Sequence, residues 1–299
     1  SPLCVALTVM ETALNVLLVE KRRITPPEAA DAIKEMMGGK AAASKMAAFL
    51  SALQAQELDP DVIRACADAM RSFANPCVVP DAKNVIDIVG TGGDGMDTFN
   101  VSTAAGIVLA ACGMKCAKHG NRSASGSVGS ADFLEALGCN VMLDGAAVAG
   151  AVKECGFGFL FAQMFHPAMK NVGSVRKEMG VKTIFNLLGP LTNPANPELQ
   201  VTGVGNKVIG KLFAELFRAK GTSRAMIVHS DDGLDEISPS KPTTAWVLEG
   251  GKIQEKKIEP STFGLKTHPI ELVQGGSASE RAALFREVLS QTKKRKSTG

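Results

Sequence analysis

Between residues 85 and 161 short apolar runs alternate with helical stretches, and this alternation restricts the fold more than any other property of the chain. The runs at 85–89, 114–117, 140–143 and 157–161 read as strands, and the segments 102–112, 128–137 and 145–154 between them carry helical spacing. Strands separated by helices assemble as parallel βαβ units, because each crossover helix returns the chain to start the next strand in the same direction. Strands at 199–204 and 224–229, with a helix at 207–219, continue the pattern. Residues 243–248 and 252–258, joined by Glu249-Gly250-Gly251, read instead as an antiparallel hairpin.

The part before this alternation has a different character. Residues 11–19, 26–37, 45–55 and 59–73 read as four helices. Thr25-Pro26-Pro27-Glu28 combines a capping Thr with Pro in a first turn, and Asp59-Pro60-Asp61 repeats the device. A Pro-rich break at 75–81 separates the two halves and predicts a hinge. Residues 166–193 turn helical and polar again, ending in Gly189-Pro190-Leu191-Thr192-Asn193-Pro194, and are expected to pack on the N-terminal helices. At 299 residues the chain is long enough for a large domain plus a smaller one.

A formal charge of +3 is too small to argue for nucleic acid or membrane as partner. The seven cysteines include no CxxC pair and no His at finger spacing, which argues against zinc and a disulfide framework. Cys112 and Cys116 read as small buried hydrophobes in a reducing compartment, and the expected location is the cytoplasm. The apolar run at 3–19 is broken by Glu11 and Asn15, so it falls short of a membrane span and resembles a packed helix more than a signal peptide. The chain begins at Ser1 without a Met, as a processed or excised chain does, and its last basic run, Lys293-Lys294-Arg295-Lys296, reads as a solvated tail.

Charge is distributed unevenly within this modest total. Residues 98–131 hold no carboxylate but carry Lys115, Lys118, His119 and Arg122. The stretch follows the first strand and the run Gly90-Thr91-Gly92-Gly93-Asp94-Gly95, whose glycines let backbone N–H groups converge on a phosphate. Asn100-Val101-Ser102-Thr103 then opens a helix with hydroxyl caps, and the next strand delivers Lys118-His119-Gly120-Asn121-Arg122. Two strand ends and one helix start are thus expected to surround an anion. A glycine cluster alone is as readily a tight turn. Gly90, Gly92 and Gly95 satisfy GxGxxG, yet a dinucleotide fold also needs an acid about twenty residues on, where this chain has Lys118 and His119. A Walker A loop fails because no Gly-Lys-Ser/Thr follows.

Asp232-Gly233-Leu234-Asp235-Glu236-Ile237-Ser238 lies past the strand ending near His229. Adjacent carboxylates suit Mg²⁺, which keeps waters and phosphate oxygens among its ligands, although a lone acidic pair is as often a surface turn. Arg176 reads either as an ordinary helix charge or as a planar guanidinium facing a carboxylate. His166 precedes Pro167 as a helix-start residue and has no visible orienting partner for general-base work.

These residues resemble the anthranilate phosphoribosyltransferases, the tryptophan-pathway branch of a family that includes pyrimidine nucleoside phosphorylases. The matching motifs are Gly90-Thr91-Gly92-Gly93-Asp94, Thr98-Phe99-Asn100-Val101-Ser102-Thr103, Lys118-His119-Gly120-Asn121-Arg122-Ser123, Gly129-Ser130-Ala131-Asp132, His166-Pro167-Ala168-Met169, the run from Phe185 to Pro194, and Gly233-Leu234-Asp235-Glu236-Ile237-Ser238. They keep family order from about residue 10 to 290. The resemblance implies a small helical N-terminal domain, 1–74, completed by helices from about 167–193 and hinged to a larger α/β domain, 81–299, with a mostly parallel central sheet. It also implies a reaction: phosphoribosyl pyrophosphate (PRPP) and anthranilate give phosphoribosyl-anthranilate and pyrophosphate.

By the same resemblance PRPP meets Gly90, Gly93, Asp94, Thr98, Asn100, Val101, Ser102, Thr103, Lys118, His119, Gly120, Asn121, Arg122, Ser123, Ala124, Ser125, Gly126 and Ser130. Anthranilate meets Gly90, Asn121, His166 and Arg176, with His119 nearby, and Mg²⁺ meets Ser102, Asp235 and Glu236. No acid or base is assigned; a homodimer is implied, and neither nucleic acid nor membrane is expected as a partner. The chain departs from the family pattern at Gly126, usually Ser, at Phe165, usually Tyr, and at Gln163, usually Pro, and it ends at Gly299 before the family's final helices. Two alternatives stay open from the residues themselves. One is a silent paralogue binding nucleic acid through Lys115, Lys118, Arg122 and the tail, and the other is a pyrimidine nucleoside phosphorylase.

Overall fold

A computed structural model describes residues 7–57, 59–92, 95–123 and 128–290. Side-chain capping sets where its first helices begin. Thr8 Oγ1 accepts from Glu11 N at 3.2 Å while the Glu11 carboxylate accepts from Thr8 N at 2.8 Å, so α1 (Val9–Leu14) starts on a capping box. It runs on as a π-helical turn, Asn15–Val19. Thr25 N donates to Glu28 at 2.9 Å at the head of α2 (Pro26–Met37), and Asp59 accepts from Asp61 N at 2.7 Å at the head of α4 (Pro60–Arg71). Between them lies α3 (Ala43–Gln54).

These helices bury Met36, Phe49, Leu50 and Ile63 against one another. The α/β part follows as β1 (Val85–Gly90), α5 (Val101–Ala111), β2 (Lys115–Gly120), α6 (Ser130–Ala136), α7 (Gly145–Cys155), β3 (Phe157–Phe161), α8 (Ala162–Phe165), α9 (Lys170–Met179), α10 (Phe185–Leu188), β4 (Leu199–Gly203), α11 (Lys207–Lys220), β5 (Arg224–Ser230), β6 (Thr243–Glu249), β7 (Lys252–Ile258) and α12 (Ala278–Ser290). One seven-stranded sheet has the order β3-β2-β1-β4-β5-β6-β7. The first five strands in that order are parallel, and β6 and β7 are antiparallel. Gly250 and Gly251 turn the last hairpin with φ of +57° and +74°, the pair of positive angles that a two-residue type I′ turn requires.

Three details differ from the sequence-based expectation. Residues 140–143 form no strand: Asn140 Oδ1 accepts from Met142 N at 3.0 Å, a local bond that replaces a ladder, while Val141 is buried against Leu134, Phe159 and Phe161. The second strand runs three residues further than 117, taking in Lys118, His119 and Gly120. Cys116 is buried as expected, but Cys112 is exposed because it follows α5 at the helix end.

The apolar core of α1–α4 takes in Val172 and Val175 of α9 and Phe185 and Leu188 of α10. Asn171 Nδ2 ties the two groups together by donating to Met37 O at 2.7 Å. The same core continues through Phe213 and Phe217 of α11 to Ile227 and Trp246 of the sheet. Among the described residues no helix is long and apolar enough to cross a membrane.

Candidate active site

The chain runs β1 to β2 to β3 in one direction across the sheet, then returns to β4 and β5 on the other side of β1. Loops leaving β1 and β4 therefore diverge, and a crevice opens beyond their carboxyl ends, as in other open α/β sheets. Gly90 and Gly203, the last residues of β1 and β4, are paired in register at this point. Asp235 lies directly on them. A Cβ on Gly90 would stand 2.6 Å from Asp235 Oδ2, and one on Gly203 would stand 1.6 Å from Asp235 O. Both glycines are needed for the acidic turn to reach the crevice. Gly92 N donates to Asp235 Oδ2 at 3.2 Å, which fixes the carboxylate over the strand ends.

Side chains alternate across a strand, so Lys118 and His119 point to opposite faces of β2. Lys118 is buried on the face covered by α5. Its Nζ donates to Ile88 O and, at 3.2 Å, to Ser102 Oγ in the first turn of that helix. Burial pulls the ammonium below its usual range, and the carboxylates of Asp87, Glu236 and Asp235 work against that. The fully buried Asp87 answers from β1: its oxygens accept from His119 N at 3.1 Å and from Asn193 Nδ2 at 2.9 Å. Burial raises the Asp87 pKa, while Lys118, Asn193 and the His119 N–H oppose the rise.

The start of α5 is not capped by a hydroxyl. Asn100 occupies the N-cap position, but its Nδ2 donates to Val128 O at 2.9 Å instead of its side chain turning back to the helix. Val101 N donates to Phe99 O at 2.7 Å, and the N–H groups of Ser102 and Thr103 keep their capacity for an anion. Thr103 Oγ1 is buried there with no hydrogen-bond partner among the described residues.

On the other face, His119 and His166 form a buried pair with ring centroids 5.1 Å apart. His119 Nδ1 lies 3.2 Å from Gly189 O, so the neutral ring carries its proton there and leaves Nε2 as an acceptor. Burial pushes His119 down to about 4. Burial and the neighbouring His119 push His166 down to about 3; the Thr192 backbone offsets this slightly, without a hydrogen bond of normal geometry. Arg176, half-buried on α9, stacks 5.3 Å from the Phe185 ring, and burial lowers its pKa with no carboxylate beside it among the described residues.

Other expected contacts fall differently. Arg122 is already neutralised by Asp132 at 2.7 Å and Glu135 at 2.6 Å on α6, and its guanidinium lies 5.5 Å from the Phe161 ring. The residues just past the carboxylate-free stretch take up its charge. Lys115 begins β2 at the opposite end of the strand from Gly120, on the order of 15 Å from the crevice. Asn121 Oδ1 accepts from Arg122 N at 2.8 Å, and Ser130 Oγ donates to Asn121 O at 3.1 Å, so Gly120, Asn121 and Ser130 form one turn. Val101 opens α5, Thr98 precedes it, and Ser123 closes the described part of the loop. Gly93, Asp94, Ala124, Ser125 and Gly126 lie outside the described residues.

Models of the glycosyl transferase family match twice: its helical bundle domain over residues 16–74 and its a/b domain over 82–298. The anthranilate phosphoribosyltransferase of Herpetosiphon aurantiacus is 43% identical over 275 residues, 92% of this chain and 81% of that protein. The chain belongs to the anthranilate phosphoribosyltransferase family. Its fold matches the family member from Thermus thermophilus with a TM-score of 0.87 at 41% identity, over 96% of this chain and 84% of that one. It matches the Saccharomyces cerevisiae enzyme, solved in complex with PRPP and Mg, with a TM-score of 0.85 at 30% identity, over 94% and 80% of the two chains.

The Mg in the S. cerevisiae structure poses a test for the acidic turn. No cluster of three or more His, Cys, Asp or Glu side chains suited to a metal occurs among the described residues. Two carboxylates and a hydroxyl are nevertheless what a hard cation wants when substrate phosphates and waters complete its shell. Both Asp235 and Glu236 are close enough for Lys118 to feel their charge, and Lys118 touches Ser102. The donor set fits. Sequence reasoning missed Asp87 and Asn193: the first was submerged in an apolar run and the second in a turn motif.

Proposed function

We propose that this chain transfers the phosphoribosyl group from PRPP to anthranilate, giving N-(5-phosphoribosyl)anthranilate and pyrophosphate in tryptophan biosynthesis. The observation that carries the assignment is the crevice between β1 and β4, where Asp235 is held on Gly90 and Gly203 opposite Lys118, Ser102 and the open start of α5. The S. cerevisiae enzyme has been solved with PRPP and Mg and also with 4-fluoroanthranilate, and both ligand classes suit the two faces of β2 described here.

Loss of pyrophosphate leaves positive character on the ribose carbon and negative charge on the leaving group. Lys118, the first-turn N–H groups of α5 and Ser102 hold that negative charge at fixed positions, the arrangement that stabilises a transition state most effectively. Asp235, Glu236 and Ser102 would hold Mg²⁺, whose charge would offset that of the departing phosphates. The acceptor is an arylamine that is neutral at physiological pH, so no strong base is required. Neutral His119 and His166 fit that demand, since protonated rings would repel the developing cation. Arg176, whose guanidinium lies 5.3 Å from the Phe185 ring, would meet the acceptor carboxylate. The remaining PRPP contacts fall to Gly90, Thr98, Asn100, Asn121 and Ser130. The division into 1–74 and 81–299, the homodimer and the cytoplasmic location belong to the same proposal.

Fluorescence of anthranilate should fall when PRPP and Mg²⁺ are added together and stay constant without either one. Asp235→Asn with Glu236→Gln should raise the Mg²⁺ concentration needed for half-maximal rate by at least about ten-fold, an effect of about 1.4 kcal/mol. A folded double variant with an unchanged Mg²⁺ requirement would remove these residues as metal ligands.

A further inference from the structure

We propose that Arg281 of α12 is a positioning residue for the phosphoribosyl donor, acting through the segment 97–100 that leads into α5; the inference rests on the phosphoribosyltransferase function above. Arg281 is 2% exposed, which is unusual for a guanidinium unless its donors are satisfied. They are satisfied mainly by that segment. Nη1 donates to Thr98 O at 2.6 Å and to Asn100 Oδ1 at 3.3 Å, Nη2 donates to Asp97 Oδ1, and Nε donates to Gly276 O at 2.9 Å.

Three further contacts bind the same segment to the same end of the chain. Gly275 N donates to Asp97 O at 2.7 Å, Phe99 N donates to Val273 O at 2.9 Å, and Thr98 pairs with Gln274 in an antiparallel bridge. One turn after Arg281 on the buried side of α12, Phe285 packs on Phe99 with ring centroids 6.2 Å apart and on Phe133 at 5.7 Å. A Cβ on Gly275 would fall 2.0 Å from Arg281 Nη2, so the chain passes over the guanidinium at a distance only glycine allows.

The functional consequence follows from what the segment presents. Thr98 and Asn100 are fixed through their carbonyl and amide oxygens, and with them the direction in which α5 points its first-turn N–H groups. The fork reaches four acceptors from three nitrogens in one plane, whereas an ammonium has three N–H groups on a single atom, so Lys is a poor substitute here. Among the described residues the side-chain hydrogen bonds and ring contacts that α12 makes outside 276–290 run to Asp97, Thr98, Phe99, Asn100, Phe133 and Leu137, and none of them involves His119 or His166. The donor side should therefore depend on Arg281 and the acceptor side should not.

Steady-state kinetics of the full chain, with calorimetric titration of PRPP in Mg²⁺, separate these sides. Arg281→Met should raise KM for PRPP and weaken its binding by about ten-fold or more while KM for anthranilate stays within about two-fold; Arg281→Lys should recover only part of the loss. Asp97→Asn, on a carboxylate that is 59% exposed and safe for folding, should give a smaller shift in the same direction. Arg286→Met, on the same helix but with its guanidinium on Leu137 O at 2.9 Å, should leave both constants unchanged. Hydrogen exchange at the Phe99 amide should quicken in Arg281→Lys. Equal rises in the two KM values, or unaltered PRPP binding by folded Arg281 variants, would overturn the inference while leaving the proposed reaction intact. Wild-type protein that neither binds PRPP nor turns over would remove the reaction itself, and the inference with it.

Discussion

Lys118 shows how one buried side chain links the sheet to the crevice. Its ammonium sits between Ile88 O and Ser102 Oγ, with Asp87 behind it in β1. Lys118→Met keeps the length of the side chain and removes the charge, so KM for PRPP should rise by about 10- to 100-fold, the range of a lost charged hydrogen bond. A folded variant with wild-type PRPP affinity would exclude Lys118 from donor binding. His119 and His166 make the second residue-scale prediction. Their folded values of about 4 and about 3 lie below the unfolded value near 6.5. The unfolded chain therefore binds their protons first, and the stability present above pH 6.5 is lost as pH falls towards 4. Each ring contributes a slope of about 1.4 kcal/mol per pH unit. Urea unfolding between pH 6 and 4.5 should show this slope, and His166→Gln should reduce it by one proton. An undiminished slope in that variant would mean that His166 is not held neutral.

At the scale of elements, boundaries set by local chemistry were the most legible in the sequence. Thr25-Pro26 and Asp59-Pro60 mark helix starts because their bonds lie within one turn, and α2 begins where they predict. Expectations that depended on distant partners fared less well. Residues 140–143 are apolar enough for a strand, but β3 pairs directly with β2, and Val141 packs beneath the sheet edge against Leu134, Phe159 and Phe161 instead of joining a ladder. Arg122 read as part of an anion wall because no acid lies between residues 98 and 131, yet the α6 helix turns Asp132 and Glu135 towards it. Asn193 belongs to the same class. Its Nδ2 reaches Asp87 Oδ2 at 2.9 Å and Ala117 O at 2.8 Å, and its Oδ1 accepts from Ala195 N at 2.9 Å, pinning the turn after α10 to two strands. Asn193→Ala should cost about 3 kcal/mol, because a buried carboxylate loses a donor as two backbone groups lose partners. Chemical denaturation checks this. Asn193→Asp should be worse at pH 7 than at pH 5, since it sets a second carboxylate against Asp87.

Across the whole molecule the Pro-rich break at 75–81 suggests two independent halves, but the core does not divide there. Apolar side chains run without interruption from Met36 and Phe49, through Phe185 and Leu188, to Phe213, Phe217 and Trp246. The packing of 166–193 on the N-terminal helices is legible in the sequence and is met by α9 and α10, whereas the continuation through α11 to the sheet is not, because α11 reads as an ordinary crossover helix. Helices that share side-chain contacts with the sheet cannot lose their packing without exposing it, so the two parts should unfold together. Trp246, the only tryptophan in the chain, lies on β6 with Nε1 donating to Glu255 at 3.0 Å, and its fluorescence reports the sheet. Far-ultraviolet dichroism reports mainly the helices. The two probes should give coincident urea transitions in the wild-type chain. Phe49→Ala, a fully buried ring in the helical part, should cost about 3–5 kcal/mol and move both transitions equally. A Trp246 transition that stayed in place while the helical signal moved would show that the core behaves as two.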